Sequence, residues 1–209
     1  MVTSAAMSEG SEVTLDSVKE RTGGRSARVR QSVLDAARAE LLEGGYGSMS
    51  HASVARRAGV DRATVYRRWP SKARLAMDSL VGLADNSVAF PDRGPVESDL
   101  REMATSVAKL LETPSISHLF QALIAAQAED PSLREVGAGF WKERLEIGAH
   151  IVTAAVDRGE IDPVEDPAHV LEVMISPLYF RALISCQEID QAFIDDSVDR
   201  AVAMLAFPG

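Results

Sequence analysis

Between residues 62 and 72 the chain gathers side chains suited to gripping an extended polyanion. Arg62, Arg67 and Arg68 carry planar guanidinium groups, which hold phosphate oxygens or pair bidentately with the acceptor edge of guanine. Thr64 and Tyr66 add hydroxyls that can bond phosphates, and Ala63 shares their face. Lys72 lies just beyond, at the predicted start of a helix, where its ammonium and the helix amino end both attract a phosphate. Asp61 is repulsive to such a partner, and its position reads as a helix cap. Upstream, Arg25 and Arg28 add charge, while Ser50 and His51 open a short helix near the expected path of the phosphates.

The charge distribution agrees. Residues 21–74 hold twelve Lys and Arg against four Asp and Glu, although the whole chain carries a net charge of −9. A basic segment beside a long acidic one suggests a polyanion-binding module on a body that avoids polyanions. Other chemistries find little support. No Ser/His/Asp or Cys/His arrangement has a recognisable local context, and no glycine-rich phosphate loop is present. His118, His150 and His169 fall on three different predicted helices without paired spacing, so neither a metal site nor a cofactor is expected. Cys186 is the single cysteine, which excludes an internal disulfide, and it reads as a small buried apolar residue.

These side chains need a frame, and the apolar spacing supplies a helical one. Val29, Val33, Ala37 and Leu41 recur every four residues, and Gly44 and Gly45 should end that helix. Ser50 and Asp61 can cap two short helices separated by Gly59, the second running through Trp69. Ser71 can cap a fourth, from Lys72 to about Asp85. Residues 50–69 thus fit a helix-turn-helix. Ala55 is small where two helices approach, and Val54, Val60 and Val65 fill the shared core.

Past Pro91, Gly94 and Pro95 further amphipathic helices follow: Leu100 to Leu111, Ile116 to Ile124, Pro131 to Gly159, about Asp166 to Cys186, and Ile194 to Leu205. The expected architecture is all-α, with about nine helices. Residues 1–24 form a mobile tail, 25–86 a three-helix DNA-binding domain with its linker helix, and 87–209 a helical bundle. A composition of 46 % hydrophobic and 25 % charged residues argues against wholesale disorder. The most apolar stretch, Val170 to Cys186, is broken by Glu172, Pro177 and Arg181, so no membrane span is expected. The first 20 residues lack the apolar core of a signal peptide, and a cytoplasmic location is expected.

The stretch GYGSMSHASVARRAGVDRATVYRRWPSKARL resembles the DNA-binding domain of TetR-family transcriptional regulators. The matching positions are Gly45-Tyr46, Ser50, Val54-Ala55, Ala58-Gly59-Val60, Thr64-Val65-Tyr66, Trp69 and Ser71-Lys72. Trp69 stands where Phe is commoner, and His51 where an aliphatic residue is frequent. The resemblance implies a repressor that grips an inverted-repeat operator in double-stranded DNA as a homodimer. It also implies a second helical domain that dimerises through its last two helices and takes a small-molecule effector. Phe120, Phe140, Trp141, Met174 and Tyr179 are the candidate effector lining. Ile175, Leu178, Leu183, Ile194, Val198 and Val202 are the candidate dimer interface, because a helix apolar on all sides needs more than one domain face to cover it. The alternative reading is a helical-bundle enzyme or a carrier of a small apolar ligand with no role at DNA.

Overall fold

The computed structural model describes the backbone of residues 16–207 and the side chains of 24–81 and 87–207. Every regular element among them is helical. Helix α1 spans Asp16–Ser48, α2 His51–Ala58, α3 Arg62–Arg68 and α4 Lys72–Ser87. After the connection through residues 88–95 come α5 (Val96–Leu111), α6 (Pro114–Ala126), α7 (Pro131–Asp157), α8 (Pro167–Phe180) and α9 (Gln191–Val202).

The spacing in α1 produces its burial. Val33 and Ala37 are fully buried and Leu41 nearly so, on a face that packs against α2, α4 and α6. The glycine pair ends the regular helix, as the spacing predicts: Gly45 takes φ 72 and ψ 175, outside the helical region and accessible to glycine without steric cost, and only a short second segment runs on to Ser48. Beyond that kink, Tyr46 turns into the core. The sequence places the start of α1 after Ser26, within reach of a mobile tail; instead the helix is already formed at Asp16. Lys19, Glu20 and Arg21 are favourable helix residues that extend a helix nucleated downstream. Residues 1–15 of the expected tail lie outside the described residues.

The carboxy-terminal helices begin where short polar side chains cap them. Asp130, Asp166 and Asp190 accept from backbone N–H groups of the first turns of α7, α8 and α9. Proline follows directly in α7 and α8, at a position where its missing N–H costs nothing. The connection from α4 to α5 is pinned by Asp99, a buried carboxylate that accepts from the N–H groups of Arg93 at 3.0 Å and Gly94 at 2.7 Å. Helix α8 packs between α7 and α9, and α5 lies against α9. The single helix expected up to Cys186 stops at Phe180, and a π turn over Arg181–Ser185 continues it. That widening follows the turn in which Pro177 has no N–H to give. Cys186 then ends the element at φ 50 and is exposed, contrary to the buried role its residue type suggests. No helix among the described residues is long and apolar enough to cross a membrane.

Candidate nucleic-acid interface and effector site

Local capping builds the helix-turn-helix. Ser50 Oγ accepts from Ser53 N–H at 3.1 Å, and Ser53 Oγ accepts from Ser50 N–H at 3.0 Å, a reciprocal box that starts α2. At its other end, Val60 N–H donates to Ala55 O at 3.0 Å and Gly59 N–H to Arg56 O at 3.3 Å, a paired C-terminal cap. Gly59 sits at φ 66, which the cap requires and other residues resist. Asp61 accepts from Ala63 N–H at 2.7 Å and starts α3, its acid spent on the cap as the spacing predicts.

Two turns of α3 then divide cleanly. Val65 is fully buried, whereas Arg62, Ala63, Tyr66 and Arg67 are exposed and Thr64 is half-buried. A seven-residue helix is about 10 Å long and fits a major groove about 12 Å wide. Arg25 and Arg28 are exposed on α1. Arg68 is half-buried and already engaged: its guanidinium donates to the Ser26 carbonyl at 3.2 Å and to the Ser26 hydroxyl. It ties α1 to α3, so the exposed groups of α3 are Arg62, Tyr66 and Arg67. Sequence spacing gave no sign of Ser26, which lies far upstream.

His51 departs from its expected role on the surface. It is 6 % exposed, and its Nε2 lies 2.7 Å from the Trp69 carbonyl oxygen. A carbonyl only accepts, so Nε2 carries the hydrogen. The imidazole stacks on the Tyr66 ring with centroids 4.0 Å apart and planes within 11°. Across Tyr66, Arg62 donates to the phenolic oxygen at 3.1 Å, with its guanidinium 5.1 Å from the ring centroid. His51 is therefore a buried support that fixes Tyr66 and joins α2 to the end of α3. The Trp69 carbonyl and the Tyr66 ring hold it inside, away from the surface.

Ser71 caps α4 by accepting from Arg74 N–H at 3.1 Å. Lys72 is half-buried at this helix start, with Nζ 3.3 Å from the Gly47 carbonyl and 4.1 Å from the Tyr46 ring centroid. Burial lowers its pKa, and the nearby carboxylates of Asp130 and Glu129 oppose that shift. The Trp69 indole is buried and donates to Asp78 at 2.9 Å, locking α3 to α4.

In the carboxy-terminal half, Phe120, Phe140, Trp141 and Tyr179 form one aromatic cluster. Trp141 meets Tyr179 edge-on at 4.9 Å and Phe140 at 5.1 Å, and Phe120 meets Tyr179 at 5.5 Å. The four border a cavity of about 20 Å³ that Phe90 and Arg144 also line. Trp141 and Tyr179 also border an outer, mostly apolar groove of about 360 Å³, with Ile124, Phe180 and Ile184. Burial raises the Tyr179 pKa, opposed by Arg144. Met174 belongs to neither space: it is fully buried in the core, a correction to its place in the expected lining.

The expected dimer residues need a larger correction. Leu178 and Val198 are fully buried within the chain, and Ile175, Leu183 and Ile194 are nearly so, because α8 and α9 pack on each other and on α5 and α7. Val202 is half-buried. Among the apolar residues left in solvent, Ile124, Phe180 and Ile184, at 46 %, 57 % and 64 % exposure, share the outer groove. Among the described residues no His, Cys, Asp and Glu cluster could hold a metal ion. His118 is exposed, while His150 and His169 face Asp92 at 3.5 Å and Glu172 at 3.6 Å.

An all-helical chain that displays a capped helix-turn-helix with a basic solvent face defines a DNA-binding regulator. Residues 33–77 match the family described as bacterial regulatory proteins, tetR family, and residues 90–201 match the tetracyclin repressor-like C-terminal domain. The chain belongs to the TetR family of bacterial transcriptional regulators, a family of DNA-binding proteins rather than enzymes. The HTH-type transcriptional regulator AqdR of Rhodococcus erythropolis is 35 % identical over 147 residues, 70 % of each chain. An uncharacterized HTH-type transcriptional regulator, YdeS of Bacillus subtilis, is 26 % identical over 177 residues, 85 % of this chain and 89 % of its own. The crystal structure of the TetR family transcription regulator SCO0332 superposes with a TM-score of 0.70 at 28 % identity, covering 84 % of this chain and 97 % of that one.

Proposed function

We propose that this regulator is a homodimeric repressor that binds an inverted-repeat operator and leaves it when a small effector occupies the carboxy-terminal bundle. The observation that carries the reading is the solvent face of α3, where Arg62, Tyr66 and Arg67 are exposed and Arg62 bonds Tyr66, with Lys72 opening the next helix. The arginines can read guanine edges, while Tyr66 and Lys72 hold phosphates and set the register. Ile124, Phe180 and Ile184 form an apolar patch that a twofold mate would cover, placing two α3 helices about 34 Å apart or a multiple of it. Binding energy then comes from phosphate contacts on both half-sites and specificity from the two guanidinium groups.

The aromatic cluster suits an effector with an apolar, aromatic surface. Its cavity of about 20 Å³ has room for roughly one water, so an effector must open it. Phe90, on the connection leaving α4, is part of that wall, and opening it moves the end of the helix that begins at Lys72. Effector binding thereby favours a population in which the two α3 helices no longer match the operator. Genome-wide binding followed by footprinting tests the reading. Protection of two symmetric half-sites is expected, and protection of one half-site, or sequence-independent protection, overturns it.

A further inference from the structure

The two halves of the molecule meet at a carboxylate outside the helix-turn-helix. Asp130 caps α7, its Oδ1 accepting from Ser132 N–H at 3.0 Å and from the Ser132 hydroxyl at 2.6 Å. Its other oxygen accepts from the Tyr46 hydroxyl at 2.5 Å. Tyr46 is the buried residue that follows the Gly45 kink, and the Lys72 ammonium rests over its ring. A carboxylate of the effector half, a phenol of the DNA-binding half and the phosphate-facing ammonium therefore stand in one file. The electrostatics match this placement. Ser132 and then Tyr46 hold the Asp130 carboxyl below its usual range, and Lys72 adds to the shift. Burial and the Asp130 bond push the Tyr46 phenol up, so it remains a donor.

We propose that Asp130 is the positioning residue through which the effector half sets the DNA affinity of Lys72. It acts in two opposite ways, and the proposal rests on the reading of Lys72 as a phosphate ligand. By holding the Tyr46 hydroxyl, Asp130 fixes the aromatic platform that orients the ammonium. Its negative charge meanwhile competes with DNA phosphate for the same ammonium. Movement of the first turn of α7 alters both effects together, which gives the effector half a lever on phosphate binding that does not pass through α3.

The opposition of sign makes the proposal testable with the full-length protein and a mixed-sequence duplex of about 30 base pairs, because phosphate binding is independent of sequence. Asp130→Asn keeps the α7 cap and can still accept from Tyr46, but removes the charge. It should tighten binding about threefold at low salt, the worth of one unit charge a few ångströms away in a water-like dielectric, and the gain should vanish at high salt. Tyr46→Phe keeps both the ring and the charge but cuts the tether, and should weaken binding about threefold. In a Lys72→Ala background the gain from Asp130→Asn should shrink to the weaker direct repulsion between that carboxylate and DNA phosphate. Changes of the same sign in the two single variants, or an undiminished gain without Lys72, overturn the proposal. Should Lys72→Ala itself leave the salt dependence unaltered, the phosphate reading of Lys72 fails instead. Thermal melts of each variant separate these effects from loss of folding.

Discussion

Replacing His51 with Ala should damage stability and DNA binding together, by amounts the geometry sets. The imidazole donates to the Trp69 carbonyl at 2.7 Å in a buried position. Deleting it leaves that carbonyl unpaired, at a cost of about 1–3 kcal/mol. The ring also stacks on Tyr66 at 4.0 Å, worth about 0.5–1.5 kcal/mol beyond burial. Tyr66 is 41 % exposed and can relax into part of the space, which argues against the upper end. The expected loss is about 2–4 kcal/mol. Urea denaturation should show it as a lower midpoint with an unchanged slope. At temperatures where the variant remains folded, operator affinity should also fall, because Tyr66 loses one of the two side chains, His51 and Arg62, that hold its ring. His51→Gln supplies a donor without an aromatic ring. It should recover more of the stability than of the DNA affinity. A loss below about 0.5 kcal/mol for His51→Ala would refute the reasoning, because neither interaction would then be significant.

Arg67→Ala should weaken binding to the operator more than to random duplex, measured by competition titration; equal losses would remove Arg67 as a base reader. Ile184→Asp places a charge in the exposed apolar patch and should shift sedimentation toward the monomer, whereas Ile124→Ser should weaken association only mildly. Asp195 is held below the usual carboxylate range by the Arg101 guanidinium, which donates at 2.9 Å across α5 and α9, and then by Gln191. Because the folded-state pKa is the depressed one, its contribution is complete above the ordinary value and is lost as pH falls through the folded value. The stability advantage of the native protein over Asp195→Asn should therefore shrink as pH falls below the ordinary aspartate range in denaturant titrations.

Much of the frame is legible in the residues because local rules fix it. Ser50, Gly59 and Asp61 bound α2 and α3 through capping bonds to neighbours in sequence, and the apolar stripe of Val33, Ala37 and Leu41 announces its buried face. What stays hidden are contacts between distant segments. Nothing around Ser26 signals that Arg68 will reach it, and nothing around Asp130 signals Tyr46. His51 misleads for a related reason: polar type and first-turn position suggest solvent, and only the approach of Trp69 and Tyr66 makes it internal. Most of the residues expected to pair two subunits are enclosed by their own chain. An apolar helix such as α8 can be covered on several sides by α5, α7 and α9, which leaves Phe180 and Ile184 just beyond it, with Ile124, as the exposed fringe.

Helix α1 serves both halves of the molecule, packing on α2 and α4 and also on α6. The reading head is consequently not a detachable module. A chimera that joins this amino-terminal segment to the bundle of a relative would meet a foreign α6 along α1 and a foreign residue in place of Asp130. Exchanging operator specificity between such proteins should succeed by grafting the exposed side chains of α3 alone, and the proposed coupling to the bundle should be lost when whole segments are transplanted without the matching strip of α6 and the start of α7.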